Sequence, residues 1–195
     1  MFGLVVGILS VVSIALSVID IGMHVCQSLN LVKKETTPEE LGDRALQAYE
    51  KGVKLEDYEG RYDEYIDAIE NVDLDPEISE NLSLEDKKNA AAAVLGTGLV
   101  EYYGKESGVD KFLSTEFKED NKEFYTPERV VAYLDTFKTS GDNMENIGKY
   151  FDGKLDSMQE IRQVDASLIE AEKKLGITDE EAKENIDIEK DRRSE

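Results

Sequence analysis

Eighteen consecutive residues, Phe2 to Ile19, carry neither a charge nor a side-chain amide. A run of that kind has three homes: a bilayer, a cleaved secretory leader, or the centre of a helical core. At 1.5 Å per residue it makes ~27 Å of helix, close to the ~30 Å hydrocarbon thickness of a bilayer. A retained membrane helix is therefore the leading expectation. Asp20 bounds the run, and IGMHVCQSLNLV carries apolar character on to Lys33, so Asp20 should face water or protein. Ala15 and Ser17 also offer a small-x-small cleavage site, but no Lys or Arg precedes Lys33 to form a basic leader. Gly3 and Gly7, then Ser13 and Ser17, repeat the small-xxx-small spacing that lets two helices approach closely in lipid, which fits self-association through residues 1–20. Lys33 and Lys34 lie on the far side of the run. That asymmetry favours an outside N-terminus, a single pass through the cell membrane and a cytoplasmic body.

The rest of the chain is its electrostatic opposite. The formal charge is −21, and because residues 1–34 hold only Asp20, Lys33 and Lys34, residues 35–195 carry −22. Nucleic-acid binding needs clustered Lys and Arg to displace phosphate counterions, and no such cluster follows Lys34, so nucleic acid is excluded as a partner. Charged partners of this body should be basic or metal-bearing.

The residue types missing after Lys34 narrow the chemistry further. His24 and Cys26 are the sole histidine and cysteine, so residues 35–195 contain neither. That removes Ser-His-Asp and Cys-His nucleophiles, His-ligated zinc and CxxC redox pairs from the body, and one thiol closes no intramolecular disulfide. Gly96-Thr97-Gly98 lacks the further glycine and basic residue of a phosphate loop, and no cofactor signature appears. Carboxylates remain abundant, so an enzyme using carboxylates with a divalent metal is the rival reading. Asp73, Asp75, Glu77 and Ser79 alternate like an EF-hand loop but lack its turn glycine and closing Glu, and read as a solvated helix connector.

Helical periodicity runs through the body. Thr37-Pro38-Glu39-Glu40 opens a helix with the stripe Leu41, Ala45, Tyr49 and Val53, followed by Tyr58, Tyr62, Tyr65, Ile66, Ile69 and Val72, as a hairpin or one long helix. Ser83-Leu84-Glu85-Asp86 opens the next, with alanines at 90–93; Gly96 and Gly98 mark close approach or a break. A short amphipathic helix spans Ser107 to Phe117, and KEDNKEFY reads as a polar loop. Thr126-Pro127-Glu128 starts a helix ending before Gly141, and Met144 to Leu175 reads as one long helix closed by Gly176. Asp165 and Glu172 fall in its second apolar series and argue against a coiled coil. After Ala182 only Ile186 and Ile188 are apolar, so the tail should fray. No segment alternates as a strand does.

Gly60 to Glu77, with its Gly-x-Tyr start and Leu-Asp-Pro finish, resembles the second helix of a tetratricopeptide repeat. It covers one half-repeat with no second copy, whereas about three stacked repeats are needed to bury a core.

The expected protein is thus all-α: a membrane anchor helix over 1–34, an acidic helical bundle over 35–176 and a charged tail over 177–195. Its expected role is non-catalytic binding of a protein partner as an accessory, scaffold or immunity-type factor. A secreted helical effector released by cleavage after Ser17 is a further alternative. Tyr58, Tyr62, Tyr65, Tyr102 and Tyr103 are the first residues to test as a recognition face, because exposed tyrosines anchor interfaces.

Overall fold

The structure, a computed structural model, describes residues 18–58, 61–116 and 119–194. Among these residues the fold is all-helical, with no strand. The chain divides into two compact units, residues 1–102 and 103–195.

In the first unit α1 (Ile19–Ser28) buries Ile19, Met23, Val25 and Cys26 and turns Asp20 and His24 outward. Val18 and Ile19, at the end of the apolar run, are each 1% exposed, and Met23, Val25, Cys26 and Val32 are buried with them. Among the described residues no helix is long and apolar enough to cross a membrane. Residues 1–17, with Gly3, Gly7, Ser13 and Ser17, lie outside the described residues. Gln27 closes the turn after α1: its side-chain amide donates to the carbonyls of Lys33, Lys34 and Thr36.

Helix α2 (Pro38–Glu50) starts where the Thr37 hydroxyl accepts the Glu40 amide, with proline at its first turn. It does not run on into the next stripe. Gly52 at φ +89° and a short 3₁₀ turn, Leu55–Tyr58, separate it from α3 (Tyr62–Glu70), so the hairpin alternative holds. Helix α3 ends at Asn71, and Asp75 caps the separate α4 (Pro76–Asn81) by accepting the Glu77 amide.

Helix α5 (Leu84–Tyr103) continues unbroken through Gly96 and Gly98. Residues 90–100 are buried all round, as a helix without a polar face must be. Its glycine and alanines permit close approach: a Cβ on Gly98 would lie 2.5 Å from the Tyr62 hydroxyl, which donates to the Val94 carbonyl at 2.7 Å. Where α2 crosses α5, Gly42 faces the Lys87 backbone. Beside that crossing Lys87 reaches buried Asp43 at 2.8 Å.

The second unit begins at Tyr103 and holds α6 (Val109–Thr115), α7 (Pro127–Ser140), α8 (Glu145–Phe151), α9 (Met158–Lys174) and α10 (Asp179–Ser194). Met144 to Leu175 is therefore two helices. Gly153 at φ +66° takes the left-handed conformation after α8, and the Ser157 hydroxyl accepts the Glu160 amide to start α9. The "polar loop" also departs from its composition: Tyr125 is 0% exposed and Asn121 is buried, its amide donating to the Glu116 carbonyl at 2.8 Å. Phe112, Tyr125, Phe124 and Phe151 form an edge-to-face chain through this core.

Helices α7 and α9 are held by a charge as well as by apolar packing. Glu172, fully buried, accepts both Arg129 Nε at 2.7 Å and the Tyr133 hydroxyl at 2.7 Å. The carboxylate that spoiled the heptad is thus a paired core residue.

The tail is helical rather than frayed. Thr178 and Glu181 form a reciprocal capping box, and α10 buries Ala182, Ile186 and Glu189 against its unit. Arg192 and Arg193 fasten its last turn, a contribution that apolar periodicity does not register.

Candidate functional site

Among the described residues, an open cleft lies in each unit. In the first, about 280 Å³, the turn Asn30–Lys34 faces Asp63, Ile66, Asp67 and Glu70. Lys33 forms an ion pair with Glu70 at 2.8 Å, and that bond, with Glu70's charge, holds the ammonium above its ordinary pKa. One of the two lysines flanking the apolar run is therefore committed within the fold.

The second cleft, about 300 Å³, lies between α8, the turn into α9, and α10. Tyr150 and Phe151 line it from α8, Leu155 and Ile161 from the turn and α9, and Lys190 from α10. Lys190 Nζ sits 3.7 Å from the Tyr150 ring centroid, a cation–π contact. The Tyr150 hydroxyl donates to the Asp165 carboxylate on α9. Burial first, then that bond and Asp165's charge, push the phenol above its ordinary pKa.

Phe151 and Asp152 of this cleft also belong to an ion-pair cluster around Arg193. Arg193 reaches Glu116 Oε2 at 2.6 Å, Glu189 Oε1 at 2.7 Å and Asp152 Oδ1 at 3.4 Å, and its guanidinium carbon lies 4.9 Å from the Phe151 ring centroid. Tyr125 donates to Glu116 Oε2 at 3.1 Å, and Arg192 donates to Asn121 Oδ1 at 2.8 Å. Burial opposes the Arg193 charge, but the Glu116 bond and the surrounding carboxylates outweigh it and raise its pKa. Burial likewise pushes the Glu189 carboxyl up, and its bonds to Arg192 and Arg193 reverse that, leaving it below the ordinary value.

These groups are arranged to hold charge, not to pass protons. Burial and neighbouring carboxylates raise Tyr125 and Tyr133 as well as Tyr150, so these phenols stay protonated near neutral pH. Among the described residues no group of three carboxylate, histidine or cysteine side chains is set to hold a metal ion. Asp75 is occupied as a helix cap, and Ser79 accepts a hydrogen bond from Gln47 at 3.0 Å.

The tyrosines separate. Tyr62 and Tyr65 are core residues of the first unit and Tyr103 of the second, where its hydroxyl donates to Asp135 at 2.9 Å. Tyr58 is half-buried against Tyr65, and Tyr102 is 40% exposed. The five form no common face within either unit. Spacing placed them on apolar stripes, but the same spacing serves core and interface alike. What sequence reading passed over was Glu116 and Arg193, an ion pair between residues far apart in the chain, with Asn121 and Tyr125 hydrogen-bonded beside them.

No known protein family, curated protein or solved structure matches this chain.

Proposed function

We propose that this chain is a non-catalytic helical protein, tethered to a membrane by its N-terminal apolar run, that binds a protein partner through the cleft of its second unit. The observation that carries the binding role is that cleft: aromatic and aliphatic walls and a lysine over a ring. Such a mixture of apolar floor and a few oriented charges suits recognition. The tether rests on residues 2–17, which with Val18 and Ile19 committed to the fold would make ~24 Å of helix, just under the ~17-residue lower limit for a span. A span that short would hold the first unit close against the headgroups.

Two measurements test the reading. Membranes carrying the full chain should retain it through high-salt washing and release it with detergent; recovery in the high-speed supernatant without detergent would remove the tether. A photo-crosslinking residue at Leu155 should capture one discrete partner from native membranes, while one at exposed Glu80 should not. Equal labelling from both positions, or from neither, would remove the cleft as the docking site.

One second reading is release by cleavage after Ser17, where Ala15 and Ser17 supply the small-x-small pattern. N-terminal sequencing of the mature protein decides it: Val18 first for cleavage, Met1 or Phe2 for a retained tether.

A further inference from the structure

We infer that Glu116, Tyr125, Phe151 and Asp152 form a socket for an arginine side chain, filled in cis by Arg193, which an arginine-bearing basic segment of a partner protein fills in trans. This rests on the reading that the second unit binds a protein, and it names that partner's chemistry.

The socket is built without α10. Glu116, 3% exposed, closes the end of α6; Tyr125 comes from the following loop; Phe151 and Asp152 come from the end of α8. Gly148 makes room for it, since a Cβ there would overlap the Glu116 carboxylate, 2.7 Å from its carbon. The result is a carboxylate 2.6 Å from one guanidinium nitrogen, a second carboxylate 3.4 Å from another and a ring alongside. That set suits arginine's planar fork and not lysine's point charge.

The present occupant's helical turn is held by polar and cation–π contacts more than by apolar burial. Beyond Ile186, the buried residue of α10 is Glu189, a carboxylate neutralised by Arg192 and Arg193 of its own helix. Ile188, on another side of the helix, is 59% exposed. Remove the two arginines and Glu189 stands buried near Glu116, like charges in a dry site. The last turn is therefore docked by its arginines, and a buried ion pair returns little net free energy because desolvation offsets attraction. A second arginine offering the same contacts competes on nearly equal terms. When the last turn leaves, Lys190 leaves the Tyr150 ring with it, and Tyr150, Phe151, Leu155 and Ile161 become one apolar surface beside the socket. A chain carrying −21 also draws basic segments toward it.

The probe is a synthetic acetylated and amidated peptide of residues 192–194, Arg-Arg-Ser, tested beside a version with lysine in place of both arginines. Binding to the full chain is followed by isothermal titration calorimetry. Arg193→Ala should bind the arginine peptide at least about tenfold tighter than the unaltered chain, as removal of a self-occupant closed about nine-tenths of the time requires. The lysine peptide should show no such gain, and Glu116→Gln added to Arg193→Ala should abolish it. Arg193→Lys, which keeps a cation against Glu116 and so protects the fold, should show the same gain in smaller measure. Equal binding to the altered and unaltered chains, or equal binding of the two peptides, overturns the socket. Crosslinking from Leu155 separates this from the broader reading. A partner captured without a peptide gain leaves partner binding and removes the socket, whereas a peptide gain with no captured partner leaves the socket and removes the partner.

Discussion

Replacing Gly42 by alanine sets two effects against each other. Within a helix, alanine is favoured over glycine by ~1 kcal/mol, so α2 considered alone is stabilised. In the folded unit, however, a Cβ at Gly42 would overlap the Lys87 carbonyl and lie 2.5 Å from its carbon and 2.9 Å from its Cα. These are backbone atoms with no rotamer to change, and ordinary carbon contacts are ~3.5–4 Å, so α2 and α5 must separate by an ångström or more. Separation also stretches the Lys87–Asp43 ion pair at 2.8 Å, whose carboxylate is buried and accepts a bond from Gln47 at 2.8 Å. Overpacking costs ~1–3 kcal/mol, and weakening a buried pair adds part of the ~3–5 kcal/mol that breaking one costs. After crediting helix propensity, the net is a destabilisation of ~2–4 kcal/mol. Urea unfolding of the full chain followed by circular dichroism should lower the midpoint by ~1–2 M with little change in slope. An unchanged or raised midpoint would mean that α2 and α5 do not cross at Gly42, and the packing of the first unit would have to be redrawn.

Glu172→Leu should destabilise by ~3–5 kcal/mol because it strands Arg129 in the α7–α9 interface, whereas Arg129→Met with Glu172→Leu should recover most of that loss in the same urea assay. Cys26 is fully buried with its thiol pushed up by burial, so iodoacetamide should leave it unmodified in the native chain and alkylate it in urea. Glu189 and Asp152 are held below their ordinary values, Asp152 by Lys154 first and then Arg193. Their contribution is therefore complete above the unfolded-chain values and vanishes as pH falls through the lower folded ones. Helical signal from α10 should drop between roughly pH 5 and pH 2 and be regained on return to neutrality.

Much of the helical grammar was written locally. Thr37, Ser83 and Thr126 each cap the helix that their spacing announced, because a cap involves residues three apart. Gly153 and Ser157 carried the same kind of signal, yet the apolar stripe from Met144 to Leu175 runs in phase across them and hides the break. The residues that build the candidate site were not legible because their reason for burial lies far along the chain. Glu116 and Arg193 are 77 positions apart and Arg129 and Glu172 are 43 apart, and each looks like a solvated charge until its partner is known. Tyr125 was masked by the charged residues around it. The tyrosine stripe failed differently: helical spacing of three and four specifies that a face is covered, not whether the same chain covers it.

Arg192 and Arg193 dock the last turn of the final helix within the second unit, and amide hydrogen exchange over residues 185–194 of the full chain tests this most directly. At low salt these amides should be protected well beyond an unfolded peptide, and protection should fall on adding salt and nearly vanish in Arg192→Ala with Arg193→Ala. Exchange at the unfolded rate in the unaltered chain, or protection indifferent to both salt and the two arginines, would contradict it.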